Sequence, residues 1–116
     1  MLFAIDFDGT IVDHNYPDIG EPHKETMEFI EDLIVAGHEW TLLTMREGEK
    51  LQEALDFLKN HNITPNYVND NPDYIKKEFN CNPRKVFAHA YIDDRNAFTY
   101  DLQINFFRHF FDIKQR

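Results

Sequence analysis

Hydrophobic and polar positions alternate between two periods along the chain, and the changes of period mark its elements. Residues 2–7, LFAIDF, are short, apolar and include β-formers, the pattern of a buried strand. The following DGTIVDHNYPDIGEP is rich in turn residues and predicts a loop or a short hairpin flap ending near Pro22. From His23 to Ala36, apolar residues fall at Met27, Ile30, Leu33 and Ile34, which is one face of a helix. Pro22 precedes that helix and Gly37 is its expected stop. HEWTLLT (38–44) reads as a second strand. Helical period returns from Gly48 to Asn60 through Leu51, Ala54, Leu55 and Leu58. NYVN (66–69) predicts a brief third strand, Pro72 opens a short helix to about Phe79, and FAHAYID (87–93) reads as a fourth strand. The remainder is expected to be a helix or an irregular tail.

Strand and helix alternating in this way predict an α/β fold: a small Rossmann-like three-layer domain with a mostly parallel sheet. No repeat, low-complexity tract or linker divides residues 1–116, so a single domain is expected. In such sheets ligands bind outside the carboxyl ends of the strands, which turns scattered residues into one candidate site. The first strand ends at Asp6-Phe7-Asp8, the second at Thr44 within LLTMR, and the fourth at Asp93-Asp94 within YIDDRN. Three or four carboxylates, one hydroxyl and the guanidiniums of Arg46 and Arg95 would then converge on one sheet edge. Carboxylates crowded in this way repel one another unless a cation sits among them. Oxygen ligands without Cys or His partners favour a hard ion, Mg²⁺ before Ca²⁺. Mg²⁺ commonly shares its coordination shell with substrate phosphate, so the cluster points to phosphoryl chemistry.

Bulk composition narrows the alternatives. Asp and Glu outnumber Lys and Arg by 21 to 12, a net charge of −9, which argues against a generic nucleic-acid or anionic-membrane surface. The single cysteine, Cys81, cannot form an intrachain disulfide and has no neighbour at metal-ligand spacing. No apolar run approaches the ~20 residues of a membrane span. The opening apolar stretch lacks a basic leader, so a cytoplasmic setting without a signal peptide is expected. The six histidines offer no H-x-x-x-H pair on a credible helix, which makes zinc improbable.

The motif D6-F-D8-G-T10, a strand ending in Thr44 and a lysine upstream of I92-D93-D94 together resemble the haloacid dehalogenase superfamily of aspartyl phosphatases. The similarity runs from residue 2 to about residue 96. It implies that Asp6 is the nucleophile and that Asp8 is the general acid, then base. Asp6 and Asp93 would hold Mg²⁺ through their side chains, with Asp94 close behind, and Asp8 would contribute its main-chain carbonyl. Thr44 would donate to the phosphoryl group, and Gly9 would permit a turn that brings backbone N–H groups to the anion. Lys85 is the expected ammonium beside Asp6, making it both a catalytic and a phosphate-binding residue. It lies eight residues before Asp93. An unbroken strand would leave it roughly 25 Å away, so the strand must start near His89. Lys76 or Lys77 is the alternative. Arg46 and Arg95 could hold phosphate or form surface ion pairs, and His14 and Tyr16 could line a flap or a solvated loop.

Neither interval between motifs has room for a cap domain, so an open site is expected, suited to a bulky phosphorylated substrate. The favoured function is a Mg²⁺-dependent phosphomonoester hydrolase. A regulatory or binding protein on the same fold is the alternative. A receiver-type phosphoacceptor fits less well, because receivers place the paired acidic residues on the first strand and the reacting aspartate on a later one. In the C-terminal segment, about 98–116, Phe106, Phe107, Phe110 and Phe111 follow helical spacing. They are expected either to pack on the domain or to form a homo-oligomer contact.

Overall fold

A computed structural model describes all residues from 1 to 116. Strand β1 is Leu2–Asp6, helix α1 Lys24–Val35, β2 Glu39–Leu43 and α2 Gly48–Asn60. They are followed by β3 Tyr67–Val68, α3 Asp73–Phe79, β4 Ala90–Ile92 and α4 Tyr100–Phe110. The strands form one all-parallel sheet in the order β3-β2-β1-β4, which with its flanking helices is a small Rossmann-like domain. The chain steps outward from β1 to β3 and then returns to the other side of β1. In this register Asp6 pairs with Leu43 and Ile5 with Ile92, so Thr44 and Asp93 flank the end of β1.

Alternation along the strands divides the interior in two. Phe3, Ile5, Trp40, Leu42, Ala90 and Ile92 face a main core that also takes Phe29, Ile30 and Leu33 from α1, Ala54 and Leu58 from α2, and Ile104 from α4. Leu2 and Ala4 face the opposite way, into a smaller cluster with Ala88, Leu43, Tyr67, Phe87 and Tyr91. Three helices therefore cover one face of the sheet. The other is covered by the chain leading into β4 and by α3, whose Tyr74 lies near Tyr67 and Glu39. The three layers are unequal because β3 and β4 have only two and three residues.

Helix α1 ends where Gly37, at φ +84°, turns the chain so that the Gly37 and His38 amides donate to Ile34 O and Leu33 O. Its buried face is rotated from the expected one: Phe29 is enclosed, whereas Ile34 is 40 % exposed. β4 is shorter than expected because polar groups intercept its ladder. The His89 imidazole accepts the Leu2 amide at 2.9 Å, and the Phe87 amide donates to Asn71 Oδ1 at 2.6 Å. The C-terminal segment is tied to α1 by the buried Asp32 carboxylate, which accepts from Arg108 at 2.9 Å and Arg116 at 2.7 Å. Phe107 and Phe111 pack against the main core, while Phe106 and Phe110 stack on each other in solvent. No helix is long and apolar enough to cross a membrane. The intervals between the strands hold only the flap, α1, α2 and α3, leaving no cap.

Candidate functional site

At the carboxyl ends of β1, β2 and β4 lies a cavity of about 500 Å³ lined by ten residues, among them Asp6, Asp8, Thr44, Arg46, Asp93 and Asp94. Asp6, Asp93 and Asp94 each present a carboxylate oxygen, all within 4.8 Å of one another. Parallel pairing of β1 with β4 brings these residues together from opposite ends of the sequence. Burial, followed by the charges of Asp93 and Asp94, pushes the Asp6 carboxyl up to about 8. Asp93 is also raised, first by burial. Three carboxylates so close must share protons or a cation. With no Cys or His in the cluster, the donors suit a hard divalent ion such as Mg²⁺.

Each member of the cluster is held from behind. The Thr10 hydroxyl donates to Asp6 Oδ2 at 3.2 Å from a fully buried position. Asp93 is bracketed by Gln103, whose Oε1 accepts the Asp93 amide at 3.2 Å and whose Nε2 donates to the Asp93 carbonyl at 2.8 Å. The Arg95 amide donates to Asp93 Oδ1 at 2.8 Å. Asp94 approaches Gly9 so closely that a Cβ there would lie 2.3 Å from Asp94 Oδ2, and Gly9 itself adopts φ +93°. Gly9 therefore acts by lacking a side chain. Its own amide donates to Val12 O at 2.7 Å and so closes the turn. Thr44 is set by Asn69, which accepts the Thr44 amide at 2.9 Å and donates to the Thr44 carbonyl at 2.8 Å. The Thr44 Oγ1 accepts the Arg46 amide at 3.0 Å, leaving its proton able to point into the cavity.

Asp8 is treated differently. Its two oxygens accept from Arg46 Nε at 2.8 Å and Nη2 at 2.9 Å, a bidentate fork, and it takes no part in the acidic cluster. Arg46 is only 3 % exposed. Its remaining donors reach the carbonyls of Pro17 at 3.3 Å, Lys50 at 3.3 Å and Asp18 at 2.9 Å. Its guanidinium also lies over the rings of Phe7 and Tyr16. Arg46 is thus neither a surface ion pair nor a free phosphate ligand. It ties Asp8 to the flap. That flap is a hairpin-like loop pinched at its base, where Asp13 N donates to Glu21 O and His23 N to Ile11 O.

No lysine lines the cavity. The Lys85 ammonium sits 5.8 Å from the centre of the Tyr91 ring, and the Lys85 carbonyl is held by Asn71 Nδ2 at 3.2 Å. Lys76 pairs with Asp70 at 3.1 Å. β4 does begin late, as the lysine requirement demanded, but Asn71 folds the residues before it against the sheet rather than toward Asp6. Arg95 is the cavity cation without a carboxylate partner, and His14 and Tyr16 both line the cavity wall. Thr10, Asn69 and Gln103 position the site without any signal in the sequence that marks Asn69 or Gln103 for it. Thr10 was nonetheless visible inside the D-x-D-G-T motif.

No family model and no curated protein matches the chain. Among solved structures, a conserved protein from Bacteroides thetaiotaomicron superposes with a TM-score of 0.78 at 33 % identity, over 100 % of this chain and 98 % of that one. Identity at that level along the full length of both proteins means that the chain belongs to the same family as this conserved Bacteroides protein.

Proposed function

We propose that the chain is a Mg²⁺-dependent phosphomonoester hydrolase of the haloacid dehalogenase type, acting through an aspartyl-phosphate on Asp6 in an open site. The observation that supports this reading is the meeting of Asp6, Asp93 and Asp94 within 4.8 Å, in a cavity that also holds Asp8 and Thr44. A divalent ion bound to the cluster would keep Asp6 ionised and offset the charge of a phosphoryl group.

Asp6 stands at the end of β1 with one oxygen fixed by Thr10, which leaves the other to attack phosphorus as the P–O bond to the leaving group breaks. The Thr44 hydroxyl donates to a phosphoryl oxygen. Asp8 protonates the departing alkoxide, then takes a proton from the water that hydrolyses the aspartyl-phosphate and releases inorganic phosphate. With both oxygens accepting from Arg46, Asp8 has the geometry of a carboxylate, suited to the base half of this cycle. Its acid half requires the fork to loosen.

Purified protein should hydrolyse p-nitrophenyl phosphate or acetyl phosphate when Mg²⁺ is added. Asp6→Asn should abolish turnover while the far-ultraviolet circular dichroism is unchanged. Full activity of that variant would remove Asp6 from its role. The absence of a cavity lysine favours a second reading, a binding or regulatory protein on the same fold. That reading predicts calorimetric binding of phosphate or vanadate with no turnover of any phosphoester.

A further inference from the structure

The floor and the rim of the cavity differ in chemistry. Of the ten lining residues only Tyr16 and Met45 are apolar, and both stand in solvent: Met45 is fully exposed and Tyr16 is 56 % exposed. An exposed apolar side chain is ordinary by itself. These two come from different segments, the flap and the end of β2, and line the same opening. The Arg46 guanidinium lies 5.1 Å from the centre of the Tyr16 ring, so one face of the ring meets the protein while the rest of its surface is exposed at the opening. Met45 follows Thr44 directly, so its flexible thioether begins one residue from the phosphoryl donor.

Charge limits what else can enter. Four carboxylates line the cavity with two guanidiniums, so one divalent ion brings the lining to neutrality. Every N–H of Arg46 is already committed to Asp8 or to a carbonyl. Of the two guanidiniums, Arg95 is the one left to meet anionic charge beside the ion. One phosphoryl group can be served; a second would lack a partner in a site surrounded by carboxylates.

Resting on the hydrolase reading above, we infer that the substrate is a small monophosphate ester with a flat, uncharged leaving group, such as a nucleoside or an aryl alcohol, seated between Tyr16 and Met45. Bisphosphates and polyol phosphates are disfavoured: the former lack a second cation, and the latter offer no flat apolar face to the two rim residues.

Paired substrates with the same type of reacting oxygen test this. Adenosine 5′-monophosphate and ribose 5-phosphate differ only by the base, and benzyl phosphate and cyclohexylmethyl phosphate differ in flatness. With Mg²⁺ present, at least one flat member should show a KM about tenfold below that of its partner, the order of a single stacking contact. Which pair discriminates distinguishes a nucleoside substrate from a simple aryl one. Tyr16→Ala and Met45→Ala should each collapse that ratio toward one. A turnover-independent arm follows the Met45 methyl resonance. Phenylphosphonate with Mg²⁺ should move it through the ring current, methylphosphonate should not, and Tyr16→Ala should diminish the shift. Equal KM values within both pairs, or a Met45 methyl indifferent to phenylphosphonate, would overturn the inference. Cleavage of p-nitrophenyl phosphate but of none of the four esters would also overturn it, whereas a phenylphosphonate shift in a protein that cleaves no phosphoester at all removes the hydrolase reading and leaves the rim as a contact for a flat ligand.

Discussion

Replacing Arg46 with methionine keeps the length of the stem but deletes a guanidinium that is almost wholly enclosed. The Arg46 and Asp8 side chains are 1 % and 15 % exposed, so the lost pair is a buried one. Removing one partner of such a pair costs about 3–5 kcal/mol, because the other charge is left without compensation. The lower end applies here, since Asp8 borders an open cavity and can rehydrate. Of the three carbonyls released, those of Pro17 and Asp18 belong to exposed residues and can find water at little cost. A domain of this size has roughly 6–17 kcal/mol of total stability. Its midpoint moves by about 4 °C per kcal/mol, so Arg46→Met should lower Tm by about 12 °C. Thermal unfolding by circular dichroism measures this, and hydrogen exchange should show faster opening of the flap amides near Pro17 and Asp18. Adding Asp8→Asn removes the stranded charge, so the double variant should recover about 2 kcal/mol relative to the sum of the two single changes. A Tm shift below about 3 °C, or a strictly additive cycle, refutes the assignment of Arg46 as the buried counter-charge of Asp8.

Three other consequences are open to measurement. Gly9→Ala forces a side chain into a positive-φ position and against Asp94, so calorimetry should show Mg²⁺ binding weakened about tenfold or more. Because Asp6 is raised from 3.8 to about 8, the metal-free folded state binds more protons than the unfolded chain between those values. Its stabilising contribution is therefore full below pH 4 and is lost as pH rises toward 8. On the proposed reading Mg²⁺ would compete with the same protons, so its affinity should tighten from pH 6 to pH 8 by up to about tenfold per unit, with proton release in calorimetry; a flat profile contradicts the shared site. In α4, Phe107→Ala and Phe111→Ala should each cost about 2–3 kcal/mol, whereas Phe106→Ser and Phe110→Ser should stay within about 0.5 kcal/mol, as chemical denaturation would show.

Most elements were legible because their signals are local. Pro22 and Gly37 punctuate α1, Pro72 sits at the N-terminal cap of α3, and the strand ends deliver Asp6, Thr44 and Asp93 to one edge once a parallel sheet is assumed. Illegible features depend on contacts between distant segments. Asp8 and Arg46 are 38 residues apart, and nothing near Thr44 distinguishes an arginine bound for the interior from one bound for solvent. The placement of Lys85 is decided by Asn71, which gathers Asn82, Pro83, Lys85 and Phe87 around one buried amide. In α4 the period alone cannot say which pair of phenylalanines meets the core. Burial of Phe3 against Phe111, 5.2 Å apart, settles that.

The two aspartates of D-F-D face opposite electrostatic provisions, and the contrast bears on function. For Asp8 the chain supplies a buried guanidinium that uses both carboxylate oxygens and anchors itself with three more hydrogen bonds. For Asp6, two residues earlier, it supplies only the Thr10 hydroxyl and two further carboxylates. Stability alone would favour the first arrangement at both positions, since uncompensated burial of charge is costly. Arg95 lies close enough to compensate in part, yet it bonds Asp93 through its backbone amide and not through its guanidinium. The supporting residues compound the contrast: Thr10, Gln103 and Gly9 all stabilise or permit the close approach of like charges rather than separating them. A fold that holds three carboxylates together while neutralising the fourth leaves a deficit of positive charge at one place. A divalent cation would fill that deficit, with the oxygen ligands such an ion prefers, which is the charge argument behind the proposed function.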